Sequence, residues 1–143
     1  MPDKLLELDL ESLRNGLLSS DRYYNKPLVI FNSASFCGYT KQLYDFQKLF
    51  ESEKIIPIAV PTNEFGKQEP GDNYEIIQHY QKKYGITFPI VIKSDLSIKL
   101  FSEYSKPEWN FTKYLFDKKH NFIKKFDAKV KPEELLSYVW YIL

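Results

Sequence analysis

The chain has 143 residues, with 20 basic and 19 acidic side chains and a formal net charge of +1 at pH 7. This near balance argues against nucleic acid and anionic membrane surfaces as partners, because proteins that bind them carry basic surfaces. The length predicts one domain spanning residues 1–143. A content of 43% hydrophobic and 17% aromatic residues is enough to build its core.

The sequence carries no signal for export or membrane insertion. No apolar run is as long as a membrane span. Acidic residues interrupt the leucines of residues 1–14, unlike the basic start and apolar core of a signal peptide. The single cysteine excludes an intrachain disulfide. Together these features predict a cytoplasmic protein without stable membrane insertion.

The first half of the chain alternates between predicted strands and helices. The continuous apolar run of residues 27–33 predicts a strand buried on both faces. Apolar residues at helical spacing predict a helix over residues 40–53, and residues 55–62 form a second candidate for a buried strand. Residues 63–71 contain two glycines and a proline, and therefore predict a loop.

In the second half, Asp72 and Glu75 form a capping box, and with Gly85 as the stop they predict a helix between them. Residues 88–93 predict a short extended segment, whereas residues 97–106 are ambiguous, with some helical character in their latter half. Residues 110–130 predict a hairpin with its turn at residues 117–121. Pro132 is well placed at the first position of a final helix.

This order of elements predicts an α/β fold of the thioredoxin type, a central mixed β-sheet flanked by helices on both faces. Residues 35–40 then lie between the carboxyl end of a central strand and the amino end of the next helix. Open α/β sheets place their ligand sites at such positions.

Cys37, the only cysteine, lies at this junction. A lone cysteine is most often a small buried hydrophobic residue, but this one lies among small polar residues and precedes both Gly38 and a helix start. The free N–H groups of a helix start favour an anion, and thus a reactive thiolate. Lys41 either supports that charge or is simply exposed. Thr40 stands where thioredoxins carry their second cysteine, which excludes dithiol chemistry within the motif.

Three segments resemble signatures of the glutathione peroxidase family: NSASFCGYT (residues 32–40), PTNEFGKQEPG (61–71) and WNFTKYLFD (109–117). They occur in the family's order, and the resemblance extends over nearly the whole chain. It implies a thioredoxin-like fold and a catalytic set that falls on Cys37, Gln68, Trp109 and Asn110. It also implies that neither a metal nor an organic cofactor is needed.

The resemblance implies an antioxidant peroxidase, an oxidoreductase that responds to oxidative stress. The Cys37 thiolate would reduce hydrogen peroxide or organic and lipid hydroperoxides and become a sulfenic acid. Neutral donors on Gln68, Trp109 and Asn110 would stabilise the thiolate and the leaving oxygen. Since the chain has no resolving cysteine, an external thiol, glutathione or a thioredoxin-type reductant, is expected to restore Cys37.

Two alternatives remain open: a peroxide sensor or relay that passes oxidation from Cys37 to a partner protein, and a non-catalytic thioredoxin-like binding module. The complete catalytic set argues against the module. Thr62 and Glu64 depart from the family's second signature. Tetrameric animal members bind glutathione largely through arginines, and this chain has only Arg14 and Arg22. No long insertion precedes the third signature, which predicts a monomer.

The two histidines, His79 and His120, are both predicted on the surface and receive no catalytic role. Together with one cysteine they show none of the spacings typical of metal sites.

Overall fold

The computed structural model describes residues 10–12, 16–18, 25–93 and 104–139, and for the first two ranges it describes only the backbone. Strands β1 (Leu10–Ser12) and β2 (Gly16–Leu18) form a short antiparallel ladder that the sequence analysis did not predict. The main sheet contains β3 (Leu28–Ser33), β4 (Ile56–Pro61), β5 (Lys113–Phe116) and β6 (Phe122–Phe126).

The main sheet is mixed. Its spatial order is β4-β3-β5-β6, in which β3 runs parallel to β4 and antiparallel to β5, and β6 runs antiparallel to β5. The carboxyl ends of β3 and β4 and the start of β5 therefore lie at the same end of the sheet. Cys37 follows β3, Gln68 follows β4, and Trp109 and Asn110 precede β5. The predicted extended segment of residues 88–93 contributes a parallel bridge between Ile90 and Ala59.

The helices are α1 (Gln42–Glu51), α2 (Asn73–Tyr84), and a 3-10 helix (Pro132–Leu135) that continues into α3 (Leu136–Val139). A mixed sheet with packed helices confirms the predicted α/β class. The ambiguous segment 97–106 lies largely outside the described residues, as do Arg14 and Arg22. Within the described parts of the chain, every helix is too short or too polar to cross a membrane.

Strand β3 is buried along its whole length, which explains its continuous apolar sequence. Val29 and Phe31 pack in one hydrophobic cluster with buried residues of α1, α2 and α3, and Phe31 stacks on Phe46 of α1 with ring centroids 3.8 Å apart. Leu28 and Ile30 point to the opposite cluster, which includes Tyr104. The described helices thus share one face of the sheet with this first cluster.

The ends of α2 follow the predicted signals. The Asp72 side chain accepts the Glu75 N–H at 2.8 Å, and the Glu75 side chain accepts the Asp72 N–H at 3.1 Å. Gly85 ends the helix in the left-handed region, with φ of +64°. Local sequence chemistry therefore fixes where this helix begins and ends.

One histidine assignment is wrong. His120 was predicted on the surface, but it is 1% exposed and occupies the hairpin turn with φ of +66°. The turn was correctly predicted, but sequence alone did not show that its imidazole folds inward. His79 is half-buried on α2, where its ring lies 5.8 Å from the ring of Phe36.

Candidate active site

The segment between β3 and α1 carries Cys37 in a hydrogen-bonded turn. The Cys37 N–H donates to Thr40 Oγ1 at 3.0 Å, and the Thr40 N–H donates to the Cys37 carbonyl at 3.1 Å. Thr40 Oγ1 in turn donates to the Ala34 carbonyl at 2.8 Å. The threonine that replaces the second thioredoxin cysteine therefore closes the turn around the remaining thiol.

The Cys37 side chain is half-buried. Its Sγ accepts a hydrogen bond from the Tyr39 N–H at 3.4 Å. A backbone donor at this position stabilises negative charge on the sulfur. This donor belongs to the turn before α1, which begins only at Gln42, so a contribution from the helix start itself stays a prediction. Lys41 is exposed, which is the simpler of the two outcomes considered for it.

Gln68 lies in the loop that joins β4 to α2. Its carbonyl accepts the Phe36 N–H at 3.0 Å, so this loop is tied to the residue that directly precedes Cys37. Within the same loop Thr62 is buried and accepts the Glu64 N–H at 3.4 Å, whereas Glu64 itself is exposed. Of the two departures from the family signature, Thr62 is therefore buried, whereas the Glu64 side chain is exposed to solvent.

Trp109 and Asn110 lie in the turn that precedes β5, and Asn32 at the end of β3 holds this turn. Asn32 Nδ2 donates to the Trp109 carbonyl at 2.9 Å, and its Oδ1 accepts the Thr112 N–H at 3.0 Å. Phe111 adopts φ of +65°, which is unusual for a bulky side chain. Sequence reasoning missed this role of Asn32, although its place in the first signature was a signal.

The Trp109 indole packs against the loop that carries Gln68. A Cβ built on Gly66, where φ is +71°, would lie 2.8 Å from Trp109 Cη2. Phe65 meets the indole edge-on with ring centroids 6.3 Å apart. Because only glycine leaves this space, Gly66 permits the close approach of the indole, which remains 38% exposed.

A direct side-chain contact joins Gln68 to Asn110. Asn110 is fully buried, and its Nδ2 donates to the Phe65 carbonyl and to Gln68 Oε1, both at 3.0 Å. Because a carbonyl can only accept, the Phe65 contact fixes which way the Asn110 amide points. Gln68 Oε1 must then face the Asn110 donor, and Gln68 Nε2 remains as the donor on its other branch. Asn110 Oδ1 is buried without a hydrogen-bond partner.

The structure connects the predicted site residues through these loops. Hydrogen bonds run from Phe36, beside Cys37, to Gln68 and from Gln68 to Asn110. Within residues 25–93 and 104–139, no hydrogen bond joins Cys37 Sγ itself to Gln68, Trp109 or Asn110. The three loops are thus linked to one another in sequence, and the Tyr39 N–H of the Cys37 turn donates to the sulfur.

Residues 5–113 match the sequence model of the family described as glutathione peroxidase. The chain belongs to the glutathione peroxidase family. The glutathione peroxidase homolog BsaA of Staphylococcus epidermidis is 35% identical in an alignment that covers 86% of this chain and 88% of that protein. Glutathione peroxidase-like peroxiredoxin 2 of Saccharomyces cerevisiae is 30% identical in an alignment that covers 94% of each protein.

The fold is also similar to that of a thiol:disulfide interchange protein of the thioredoxin family from Chlorobium tepidum. The TM-score is 0.71 at 16% identity, and the match covers 94% of this chain and 92% of the other. This similarity confirms the predicted thioredoxin-like fold. Membership of the glutathione peroxidase family confirms the predicted class of enzyme, an oxidoreductase of the peroxidase type.

A buried carboxyl group of this family member was missed by the sequence analysis. Glu69 is 0% exposed, and its Oε1 accepts a hydrogen bond from Ser35 Oγ at 2.5 Å. The Tyr80 hydroxyl lies 2.6 Å from Glu69 Oε2 and 2.8 Å from Ser33 Oγ. Burial raises the pKa of Glu69, although the hydrogen bonds from Ser35 and Tyr80 oppose the shift. The only signal in the sequence was its position next to Gln68.

A buried lysine holds the far side of the turn before β5. Lys113 is 0% exposed, and its Nζ donates to the carbonyls of Phe111 at 2.8 Å and Ala128 at 3.2 Å. Burial lowers the pKa of Lys113 to about 7, and the charges of Asp127 and Glu134 oppose the shift. Lys113 Nζ therefore links the turn before β5 to the segment after β6.

A pocket of about 420 Å³ opens beside the Cys37 turn, between that turn and α2. Phe36, Glu69, Ile76 and His79 are among its lining residues. Phe36 is 64% exposed, and burial lowers the pKa of His79. Within the described residues no group of three or more His, Cys, Asp or Glu side chains has an arrangement that could hold a metal ion.

Proposed function

We propose that this protein is a single-cysteine thiol peroxidase that reduces hydrogen peroxide and organic or lipid hydroperoxides at Cys37, with Gln68, Trp109 and Asn110 as the supporting site residues. The observation that carries the proposal is the chain of hydrogen bonds through Phe36, Gln68 and Asn110, which ties the turn that carries the only cysteine to the loops of the other two motifs. Such preorganisation of donors is the main way in which a protein lowers the barrier to charge-separating chemistry.

In the first step the Cys37 thiolate attacks the terminal oxygen of the hydroperoxide. The S–O bond forms while the O–O bond breaks, giving a sulfenic acid and an alkoxide or hydroxide that takes a proton from water. Gln68 Nε2 is the amide donor left available by the Asn110 contact, so we assign it to the leaving oxygen. The indole N–H of Trp109 supplies a second neutral donor. Asn110 acts by orienting Gln68.

In the second step an external thiol attacks the sulfenic acid. A mixed disulfide forms and water leaves, and a second thiol then displaces the Cys37 thiolate with formation of the reductant's disulfide. The chain has one cysteine, so no thiol of its own performs these steps. We propose glutathione or a thioredoxin-type protein as the reductant. No metal or organic cofactor takes part.

The surroundings of the thiol favour bulky substrates as well as hydrogen peroxide. Phe36, which directly precedes the half-buried Cys37, is 64% exposed, and Trp109 of the third motif is 38% exposed. Apolar surface next to a reactive group contributes binding free energy for an apolar substrate tail. We propose that the protein works as a monomer in the cytoplasm, as part of the response to oxidative stress.

The proposal is tested by measuring peroxide consumption with glutathione or with a thioredoxin system, for the wild type and for Cys37→Ser. We expect turnover with at least one reductant and none above background for Cys37→Ser. A Cys37→Ser protein that keeps the wild-type rate would refute the mechanism. A wild type that forms one sulfenic acid but turns over with neither reductant would instead support the sensor interpretation.

A further inference from the structure

We infer that Glu69 is a positioning residue for peroxide reduction: its buried carboxylate fixes the turn that carries Cys37 against the loop that carries Gln68. The inference rests on the proposed function and deepens it. Glu69 has no hydrogen bond to the sulfur, and it positions the Cys37 turn through its contact with Ser35.

Two adjacent cross-links join the two loops. Ser35 Oγ donates to Glu69 Oε1 at 2.5 Å, and the Phe36 N–H donates to the Gln68 carbonyl at 3.0 Å. Ser35 and Phe36 are consecutive and directly precede Cys37, and Gln68 and Glu69 are consecutive in the other loop. One hydrogen bond fixes only a separation, whereas two neighbouring bonds also restrict rotation of one loop against the other. The direction of Gln68 relative to the thiol depends on that rotation.

The remaining contacts of Glu69 anchor it to the scaffold. Its Oε2 lies 2.6 Å from the Tyr80 hydroxyl of α2, and its N–H donates to Asn63 Oδ1 at 2.9 Å. Lys93 Nζ donates to the Glu69 carbonyl at 2.9 Å and also to the Gly71 carbonyl. The backbone of Glu69 is therefore held by Asn63 and Lys93, and its carboxylate joins α2 to Ser35.

The carboxylate calls for an explanation, because an ionised group loses hydration when it is buried. Burial raises the pKa of Glu69, which is the expected sign of that loss. A neutral side chain of the same size would avoid this loss of hydration. What the carboxylate offers in return is a short, directional hydrogen bond to the Ser35 hydroxyl, of the kind formed between O–H donors and charged oxygens.

The test separates positioning from loss of the thiolate by taking the ratio of two rate constants for Cys37. The first is the second-order rate constant with hydrogen peroxide in a single turnover, and the second is that for alkylation by iodoacetamide. Both need the thiolate, but only the peroxide reaction needs a donor aligned with a leaving oxygen, so misplacement of the donor lowers the ratio. Because unfolding would expose Cys37 to iodoacetamide and also lower the ratio, the rates are compared for variants whose circular dichroism matches that of the wild type.

The variants are Glu69→Gln and Ser35→Ala, with Ser52→Ala as the matched control. Ser35→Ala cuts the link to the Cys37 turn and keeps the carboxylate. Ser52→Ala makes the same change directly after α1, where Ser52 Oγ donates to the Leu49 carbonyl at 2.6 Å. We expect the ratio to fall about 10-fold in Glu69→Gln and Ser35→Ala, in line with the cost of a small misplacement of catalytic groups. We expect a change of less than about 3-fold in Ser52→Ala.

Wild-type ratios in Glu69→Gln and Ser35→Ala would overturn the inference. An equal fall in all three variants would also overturn it, because the loss would then not depend on the contact between Ser35 and Glu69. If Glu69→Gln does not fold, Ser35→Ala decides alone. Failure of the proposed function looks different: the wild-type ratio itself would then equal that of free cysteine.

Discussion

Asn110 and Gln68 form the contact that most directly tests the proposed chemistry. Asn110 Nδ2 donates to Gln68 Oε1 and to the Phe65 carbonyl, so both of its N–H groups are engaged. If Asn110 acts by orienting Gln68, the two side chains form one functional unit. Their removal should then be strongly non-additive.

The expected magnitude follows from the role of Gln68. Losing one donor that faces a developing oxyanion costs about 100-fold in rate, equivalent to about 2.7 kcal/mol. We therefore expect Gln68→Ala to slow Cys37 oxidation about 100-fold, and Asn110→Ala to approach the same loss because Gln68 is no longer held. The double variant should be no slower than about 300-fold, whereas independent donors would give about 10,000-fold.

The assay is sulfenic acid formation at Cys37 in a single turnover, followed by stopped flow or by mass spectrometry of quenched samples. Gln78→Ala, the same substitution on α2, serves as the matched control and should keep the wild-type rate. Thermal unfolding of each variant shows whether the fold is kept, since losing a buried hydrogen bond costs about 1–3 kcal/mol. Multiplicative losses in a folded double variant would refute the orienting role.

Two further predictions concern the turn before β5. Burial lowers the pKa of Lys113 to about 7 from an unfolded value near 10.5, so between these pH values the unfolded state binds more protons and stability rises with pH. The free energy of unfolding should therefore rise by about 2 kcal/mol between pH 7 and 9, and Lys113→Met should remove this rise. Urea unfolding at both pH values measures it, and a variant whose free energy of unfolding still rises as in the wild type would contradict the assignment. Gly66→Ala adds a Cβ 2.8 Å from Trp109 at φ of +71°. We expect a loss of about 1–2 kcal/mol in thermal unfolding and a shifted tryptophan emission, and wild-type values of both would exclude the close approach.

The elements that the sequence predicted well are those fixed by local chemistry. Asp72, Glu75 and Gly85 lie within one helix and its ends, so their contacts depend on neighbours a few residues away. Burial of both faces of β3 likewise follows from its unbroken apolar run. For α1 the prediction began two residues early, because residues 38–41 form a turn that leads into the helix at Gln42.

The parts that could not be predicted involve polar groups whose partners are distant in the sequence. Ser35 and Glu69 are 34 positions apart, and only the parallel pairing of β3 and β4 brings their loops together. Tyr80 is 0% exposed on α2, but the spacing of apolar residues along a helix does not predict that its hydroxyl contacts Glu69. The burial of His120, which is 1% exposed, was also missed. The site residues themselves were predicted from the family resemblance.

Thr40 has a consequence for how this protein could change over evolutionary time. Its hydroxyl both accepts the Cys37 N–H and donates to the Ala34 carbonyl, and the side chain is 3% exposed. A single Thr40→Cys substitution would create a thioredoxin-like pair of cysteines, but a thiol is a poor substitute for both hydrogen bonds. The turn would lose its closure at the step that introduces the second thiol. Acquiring an internal redox partner at this position therefore requires compensating changes in the turn, and the one-cysteine state resists conversion by a single substitution.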